Sequence, residues 1–204
     1  MRLTSLSLIA AASVALAGCV SLFPKSEPAQ LYRFGGTAAA QPGLGAMSGQ
    51  VGVTVAPVDF VAAASGDRIM TTTGPEVAYI AAARWAAPAR TLFTESMEQA
   101  FERDARVVSL QGRRGAGGVQ LLLDVDVNSF EARYENGREA APTAVIALDA
   151  KLIRIGDRSV VAHRVIEVRQ PASDNRMGAI VQALDAANTQ ALGQLVEWTD
   201  ANAR

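Results

Sequence analysis

The 204-residue chain is half hydrophobic and nearly neutral, with 19 lysines and arginines against 20 aspartates and glutamates. This balance argues against nucleic acid as a partner, because binding to phosphates depends on an excess of positive charge. With one cysteine and one histidine, the chain cannot form an internal disulfide and has few groups for nucleophilic or zinc chemistry.

The first 18 residues have the layout of a secretory signal peptide, with Arg2 ahead of an apolar run that ends at Leu16. This run is too short for a bilayer core, which needs about 20 residues. Small residues then precede the only cysteine, and the four positions match the lipobox of bacterial lipoproteins: Leu16, Ala17, Gly18 and Cys19. The pattern predicts that residues 1–18 are removed and that Cys19 is acylated.

The predicted modification of Cys19 consists of an S-diacylglycerol and an N-acyl group, and no other cofactor is expected. Two or three acyl chains anchor a protein stably, because each methylene group buried in the bilayer adds about 0.8 kcal/mol to the free energy of membrane binding. Val20 follows the cysteine, where enterobacterial lipoproteins kept in the inner membrane carry aspartate. We therefore expect the periplasmic face of the outer membrane, with the inner membrane as the less favoured alternative. Residues 19–30 are predicted to form the lipidated N terminus and a tether, and residues 31–204 a single periplasmic domain.

Several short extended segments precede the first predicted helix. Candidate strands are Leu31–Phe34, Val51–Val55 and Arg68–Thr73, with a strand or a turn of helix at Glu76–Trp85 and a Gly- and Ala-rich loop at 35–50. The residue before a proline is disfavoured in helical geometry, so Pro88 is expected at the first position of a helix. That helix is predicted to end near Asp104.

The second half of the domain shows clear strand alternation. Apolar residues alternate from Val119 to Val127, and the phase then slips to Phe130, which predicts a bulge. Two further strands are expected, with inward faces formed by Ala144, Ile146, Leu148, Ala150 and Leu152 and by Val160, Ala162, Ile166 and Val168. The three long strands are predicted to form an antiparallel meander.

A final helix is predicted from apolar residues that recur at helical spacing between Met177 and Trp198, with Ser173 or Asp174 as its cap. The pattern as a whole predicts an α+β domain. In this arrangement, a mostly antiparallel sheet carries two main helices on one face.

The sequence contains little that indicates a catalytic site or a metal site, and we predict neither. His163 lies within a strand pattern, and no Gly-x-Ser-x-Gly elbow is present, so a serine triad is disfavoured. Asp124, Asp126, Asn128 and Glu135 have the spacing of a calcium loop. Ser129 replaces the required glycine, however, and the flanks alternate like strands. The chain is therefore predicted not to be an enzyme.

The central segment resembles the ABC-type transport auxiliary lipoproteins, the family that includes the paraquat-inducible protein C lipoproteins. The resemblance rests on the runs Gly66-Asp67-Arg68-Ile69-Met70, Glu76-Val77-Ala78-Tyr79 and Arg84-Trp85-Ala86-Ala87-Pro88, which follow the lipobox and an early Tyr-containing strand. Ala87 stands where the family usually has an acidic residue. The signature residues, interpreted as mainly structural, are Asp67, Arg68, Tyr79, Arg84, Trp85 and Pro88.

The resemblance implies a partner role and not catalysis. Such lipoproteins accompany an ABC permease, its ATPase and an MCE-type periplasmic protein that moves lipid between the two membranes. The resemblance implies a docking point at the outer membrane. Because some relatives form rings, it also leaves open whether this chain forms a homo-oligomer. Two alternatives remain at this stage, namely a lipid-binding carrier with an apolar groove and a structural envelope lipoprotein.

Overall fold

The computed structural model describes residues 29–35, 51–111 and 119–203. The predicted signal peptide, the lipobox with Cys19 and most of the tether lie outside the described residues, as do most of the 35–50 loop and residues 112–118. No helix in the described ranges combines the length and apolar character that crossing a membrane requires.

The described ranges contain nine strands and two helices. The strands are β1 (Gln30–Tyr32), β2 (Val51–Val55), β3 (Asp59–Phe60), β4 (Arg68–Thr73), β5 (Glu76–Trp85), β6 (Val108–Leu110), β7 (Val119–Arg133), β8 (Thr143–Arg154) and β9 (Val160–Pro171). The helices are α1 (Ala89–Asp104) and α2 (Met177–Asn202). Glu76–Trp85 is thus a strand, in keeping with its β-branched and aromatic residues.

Strand β7 is the centre of the sheet. On one side it pairs antiparallel with β8, and β8 pairs antiparallel with β9, which confirms the predicted meander. On its other side β7 pairs parallel with three short strands in succession, first β2, then β3 and finally β4. Parallel pairing was not part of the prediction, although most of the residue pairs in the sheet are antiparallel.

The sheet extends beyond β4 and β2 to two outer strands. Strand β4 turns back at Gly74, which has a φ of +54°, and pairs antiparallel with β5. Strand β1 then pairs parallel with the end of β5, with Leu31 opposite Arg84 and Tyr32 opposite Trp85. Strand β6 pairs parallel with β2.

The predicted phase slip in β7 is present. The register with β8 shifts between Val127 and Ser129, so Leu121, Leu123, Val125 and Val127 before the shift, and Phe130 and Ala132 after it, are all buried. A bulge adds one residue to a strand and thereby keeps apolar side chains on the same face. The long strand can therefore cover the core along its whole length.

Both helices pack against one face of this sheet, which confirms the α+β prediction. The space between the helices and the sheet is filled by fully buried side chains, which include Phe93, Met97, Leu123, Ile146, Leu184 and Leu195. The C-terminal part of α2 is also tied to the start of β6, because the carboxylate of Asp200 accepts hydrogen bonds from the backbone N–H groups of Arg106, Val107 and Val108. We call the opposite face of the sheet the outer face.

Three local predictions need correction. Val160 is exposed and does not belong to the inward face of β9, because the register with β8 shifts between Leu152 and Ile153. Pro88 precedes the first turn of α1 as its cap residue, with extended ψ of 135°, and does not occupy the first helical position. Neither Ser173 nor Asp174 caps α2, whose cap residue is Arg176; Asp174 instead accepts a hydrogen bond from the Arg176 N–H.

Candidate functional site

The residues that could carry catalysis or bind a metal are dispersed in the structure. Within the described ranges, no group of three or more His, Cys, Asp or Glu side chains is placed to hold a metal ion. His163 lies on β9 with Nε2 at 2.8 Å from Oδ1 of Asp149, and its side chain is half exposed. The histidine therefore belongs to a surface pair on the outer face.

The acidic residues with calcium-loop spacing do not converge on one point. Asp124 and Asp126 lie on β7, where Asp126 pairs with the ammonium of Lys151 at 3.4 Å. Glu135 lies beyond the end of β7 and pairs with Arg169 of β9. The hydrogen bond from Lys151 to Asp126, together with the charge of Asp149, raises the pKa of Lys151. Asp126 and Glu135 thus have cationic partners across the strands, and the acidic residues do not form a cation cage.

The six signature residues, by contrast, lie around one junction, where β4, β5 and α1 meet. Asp67 precedes β4, and its two carboxylate oxygens accept hydrogen bonds from Nη1 of Arg84 at 3.3 and 3.2 Å. The backbone carbonyl of Asp67 also accepts a hydrogen bond from the Trp85 N–H at 2.7 Å. Asp67 therefore fixes the end of β5 through both its side chain and its backbone.

Arg68 and Tyr79 form a second contact on the outer face. The guanidinium carbon of Arg68 lies 3.7 Å from the centroid of the Tyr79 ring, which is cation–π geometry. The Tyr79 hydroxyl donates a hydrogen bond to the carbonyl of Ala63 at 2.9 Å. The tyrosine thus joins the β4–β5 hairpin to the segment that precedes β4.

Trp85 points in the opposite direction, into the core, and is 3% exposed. Its ring packs edge-on against Phe34 at a centroid distance of 4.8 Å and against Phe130 at 6.2 Å. Phe34 directly follows Tyr32 and Arg33, so the strand that leads from the tether is held to the core by this aromatic cluster. The tryptophan connects β5, β7 and the entering chain.

Pro88 and the segment before β4 shape the start of α1. The N–H groups of Ala89 and Arg90 donate to the carbonyls of Gly66 and Ser65 at 2.8 and 3.3 Å. The first N–H groups of a helix have no partner within the helix, so these bonds substitute for a side-chain cap. The helix start and the Asp67 ion pair are therefore positioned by the same short segment.

An open groove lies on the other side of α1, against the connection from β2 to β3. It has a volume of about 370 Å³, near the lower end for ligand pockets, and is lined by Val55, Ala56, Pro57, Val58, Arg90, Thr94 and Glu98. Burial, followed by the charges of Glu102 and Glu95, raises the pKa of Glu98. The groove combines an apolar wall with a polar helix face.

Sequence reasoning identified the signature residues but not their neighbours in space. Ala63, Ser65 and Gly66 act through backbone carbonyls, which no side-chain pattern can reveal. The role of Phe34 in contacting Trp85 depends on the parallel pairing of β1 with β5, which was also missed. The lipobox residues Leu16, Ala17, Gly18 and Cys19 lie outside the described residues.

Two comparisons with known proteins point to the same family. The model of the ABC-type transport auxiliary lipoprotein component matches residues 32–196, which include the whole junction. The crystal structure of a Xanthomonas campestris protein of the DUF330 family is 30% identical, covers 75% of this chain and 86% of its own, and superposes with a TM-score of 0.66.

More distant structures share the fold. An uncharacterised protein with 15% identity covers 84% of this chain and 99% of its own, with a TM-score of 0.63. A hypothetical protein from Chlamydia trachomatis with 7% identity covers 76% of this chain and 98% of its own, with a TM-score of 0.55. No curated protein matches the sequence.

Proposed function

Since the chain belongs to the family of ABC-type transport auxiliary lipoproteins, we propose that it is a non-enzymatic docking component of an MCE-type ABC system that moves lipids between the inner and outer membranes. The observation that carries this proposal is the family match over residues 32–196, together with the lipobox that ends at Cys19. The proposed partners are the MCE-type periplasmic protein and, through it, the permease and ATPase.

The packing of the domain supports a role in contact over a role as a lipid carrier. The space between the helices and the sheet is occupied by fully buried side chains such as Phe93, Ile146 and Leu184. The groove beside α1 is open and includes the charged side chains of Arg90 and Glu98. An acyl chain in that groove would lie beside charged groups, which are costly to remove from water.

The docking role is tested by recovery of the partners from membranes. A C-terminally tagged chain is expressed in its native host, membranes are solubilised in mild detergent, and co-purified proteins are identified by mass spectrometry. We expect the MCE-type protein, the permease and the ATPase, and we expect them to be lost with Cys19→Ser. Recovery of the wild-type chain without any of the three would contradict the proposal.

Membrane location is tested separately. We propose that Cys19 carries the acyl groups and that Val20 directs the protein to the outer membrane. On a sucrose gradient, the wild-type protein is expected with outer-membrane markers, Val20→Asp with inner-membrane markers, and Cys19→Ser in the soluble periplasmic fraction. If Cys19→Ser still sedimented with the outer membrane, the acyl anchor would not be what holds the protein there.

The soluble Cys19→Ser protein distinguishes the lipid carrier from the docking component. Native mass spectrometry of the Cys19→Ser protein, which lacks covalent lipid, is expected to show the mass of the polypeptide alone. One phospholipid per chain, retained after gentle purification, would favour the carrier over the docking component. A homo-oligomer would appear in the same spectrum as a multiple of the chain mass.

A further inference from the structure

Exposed aliphatic side chains occur at both lateral edges of the sheet. Leu31 on β1 is 67% exposed and Val77 on β5 is 53% exposed, whereas Val160 and Val165 lie on β9, where they are 58% and 61% exposed. Single exposed apolar residues are common on protein surfaces. Leu31 and Val77 differ from the β9 residues because they lie at the edge of the sheet formed by β1, the first strand after Cys19 in the sequence.

The length of the chain between Cys19 and the domain limits how far the domain can lie from the membrane. Cys19 and Ala29 are ten positions apart in the sequence, so even a fully extended chain reaches only about 35 Å. Strand β1 begins at the next residue and pairs with the end of β5. The edge of the sheet formed by β1 is therefore the part of the domain nearest to the acyl chains along the polypeptide.

The distance across the sheet separates the two groups of exposed residues. The hydrogen-bonded path from one edge to the other runs β1, β5, β4, β7, β8, β9. Five strand spacings of about 4.8 Å make this path about 24 Å wide. A membrane contact at the β1 edge would thus leave the β9 edge well away from the lipid headgroups.

The chemistry of the β1 edge is that of a surface at headgroup level. Leu31 lies opposite Arg84 on the outer face, because Trp85, the next residue on β5, points into the core. Arg68 covers the Tyr79 ring on the same face, and Val77 lies two residues before this tyrosine. Leucine, tyrosine and arginine side chains together can place apolar atoms in the interface while keeping polar ends in water.

The charges at this edge favour a shallow contact. Arg84 pairs with Asp67 and Arg33 pairs with Glu95, so these four charges balance. Arg68 takes part in none of the ion pairs formed among the described residues. One unbalanced cation attracts anionic headgroups only weakly, which suits a surface that orients the domain while the acyl chains hold it.

From this arrangement we propose that the outer face of the β1 edge (Leu31, Arg68, Val77, Tyr79 and Arg84) lies against the headgroups of the membrane that holds Cys19. The β9 edge then faces away from that membrane. The inference rests on the proposed acylation of Cys19.

The test uses the full acylated protein in vesicles of phosphatidylethanolamine and phosphatidylglycerol at a ratio of about 3:1. The phosphatidylglycerol supplies the anionic headgroups. Because Cys19 is the only cysteine and is blocked by acylation, Leu31→Cys provides a single site for an environment-sensitive fluorophore. Val160→Cys is the matched control, since both positions are exposed aliphatic residues on edge strands. Quenching by lipids with a nitroxide headgroup is then measured for each.

We expect quenching of the fluorophore at position 31 to exceed that at position 160 several-fold. Equal quenching, or stronger quenching at position 160, in protein that floats with the vesicles would overturn the orientation alone. Protein that fails to float would lack the anchor, and would remove the proposed acylation as well as this inference. Circular dichroism of both labelled variants verifies that the fold is retained.

Discussion

The guanidinium group of Arg68 lies over the ring of Tyr79, whose hydroxyl donates a hydrogen bond to Ala63. One tyrosine thus makes a cation–π contact with its face and a hydrogen bond with its edge. The two contacts can be separated by substitution, because phenylalanine retains the ring and loses only the hydroxyl.

Tyr79→Phe is expected to lower the free energy of unfolding by about 1 kcal/mol through loss of the hydrogen bond. Tyr79→Leu also removes the cation–π contact, for a total loss of about 1.5–2 kcal/mol. A double-mutant cycle of Tyr79→Leu with Arg68→Met, followed by urea denaturation, should give a coupling of about 0.5–1 kcal/mol. Additive effects would show that the stacked geometry adds no stability.

Gly35→Ala is expected to destabilise the protein by about 3 kcal/mol, because the residue has a φ of +84° and a Cβ there would lie 1.8 Å from Oγ of Ser96. The Gly35 N–H also donates to Asp185 at 2.7 Å, so the backbone cannot move away without losing this bond. Gly66→Ala is the matched control, since its Cβ would meet nothing within 4 Å. A similar change in the thermal midpoint of both variants would contradict this explanation.

Asn188 presents the opposite case, a buried polar side chain whose removal should not harm the fold. It is 1% exposed, and neither Oδ1 nor Nδ2 has a hydrogen-bond partner among the described residues. Because an unpaired buried amide costs about 1–3 kcal/mol, Asn188→Leu is expected to leave stability unchanged or to raise it by about 1 kcal/mol.

The control for Asn188 is a buried polar group that does have a partner. The Thr199 hydroxyl is fully buried and donates to the carbonyl of Leu195 at 2.7 Å. Thr199→Val is expected to lower the free energy of unfolding by about 0.5–1 kcal/mol. A clear loss of stability in Asn188→Leu would show that the amide is hydrogen-bonded after all.

Glu98→Gln should stabilise the protein at neutral pH but not in acid. Burial and the carboxylates of Glu102 and Glu95 raise the pKa of Glu98, so ionising this group costs more in the folded than in the unfolded chain. That cost is absent below the ordinary carboxylate pKa and develops as the pH rises through the raised value. Because Glu98 is largely exposed and solvent screens its charge, we expect a gain of only about 0.3–0.5 kcal/mol at pH 7, which disappears near pH 3.

The prediction is checked by urea denaturation of both proteins across this pH range. A gain that persists unchanged at pH 3 would point to a cause other than the ionisation of Glu98.

The long strands were predictable because their alternation is a local property of the sequence. The slip from Val127 to Phe130 could be located within two residues, since only one phase places both side chains in the core. Val160 was assigned to the wrong face because it is followed by a second valine. With two equivalent side chains in succession, the pattern does not reveal which one a bulge turns outward.

Partner choice among the short strands was not predictable from the sequence. Strands β2, β3 and β4 are each too short for their pattern to identify a neighbour, and all three pair with β7 across long stretches of sequence. The signature residues could be named from a resemblance. Only the fold shows how these residues interact. It places Arg68 over Tyr79, and it places the carbonyls of Ser65 and Gly66 at the start of α1.

The position of β7 also sets the order in which the chain can become structured. Strands β2, β3 and β4 all precede β7 in the sequence, yet each pairs along one edge with β7. When the chain is delivered from its N terminus onwards, more than half of it must be available before these strands can pair with β7. Such late, long-range pairing slows folding and prolongs exposure of unpaired strands. The edges of β2, β3 and β4 that pair with β7 therefore stay unpaired until residues 119–133 are available.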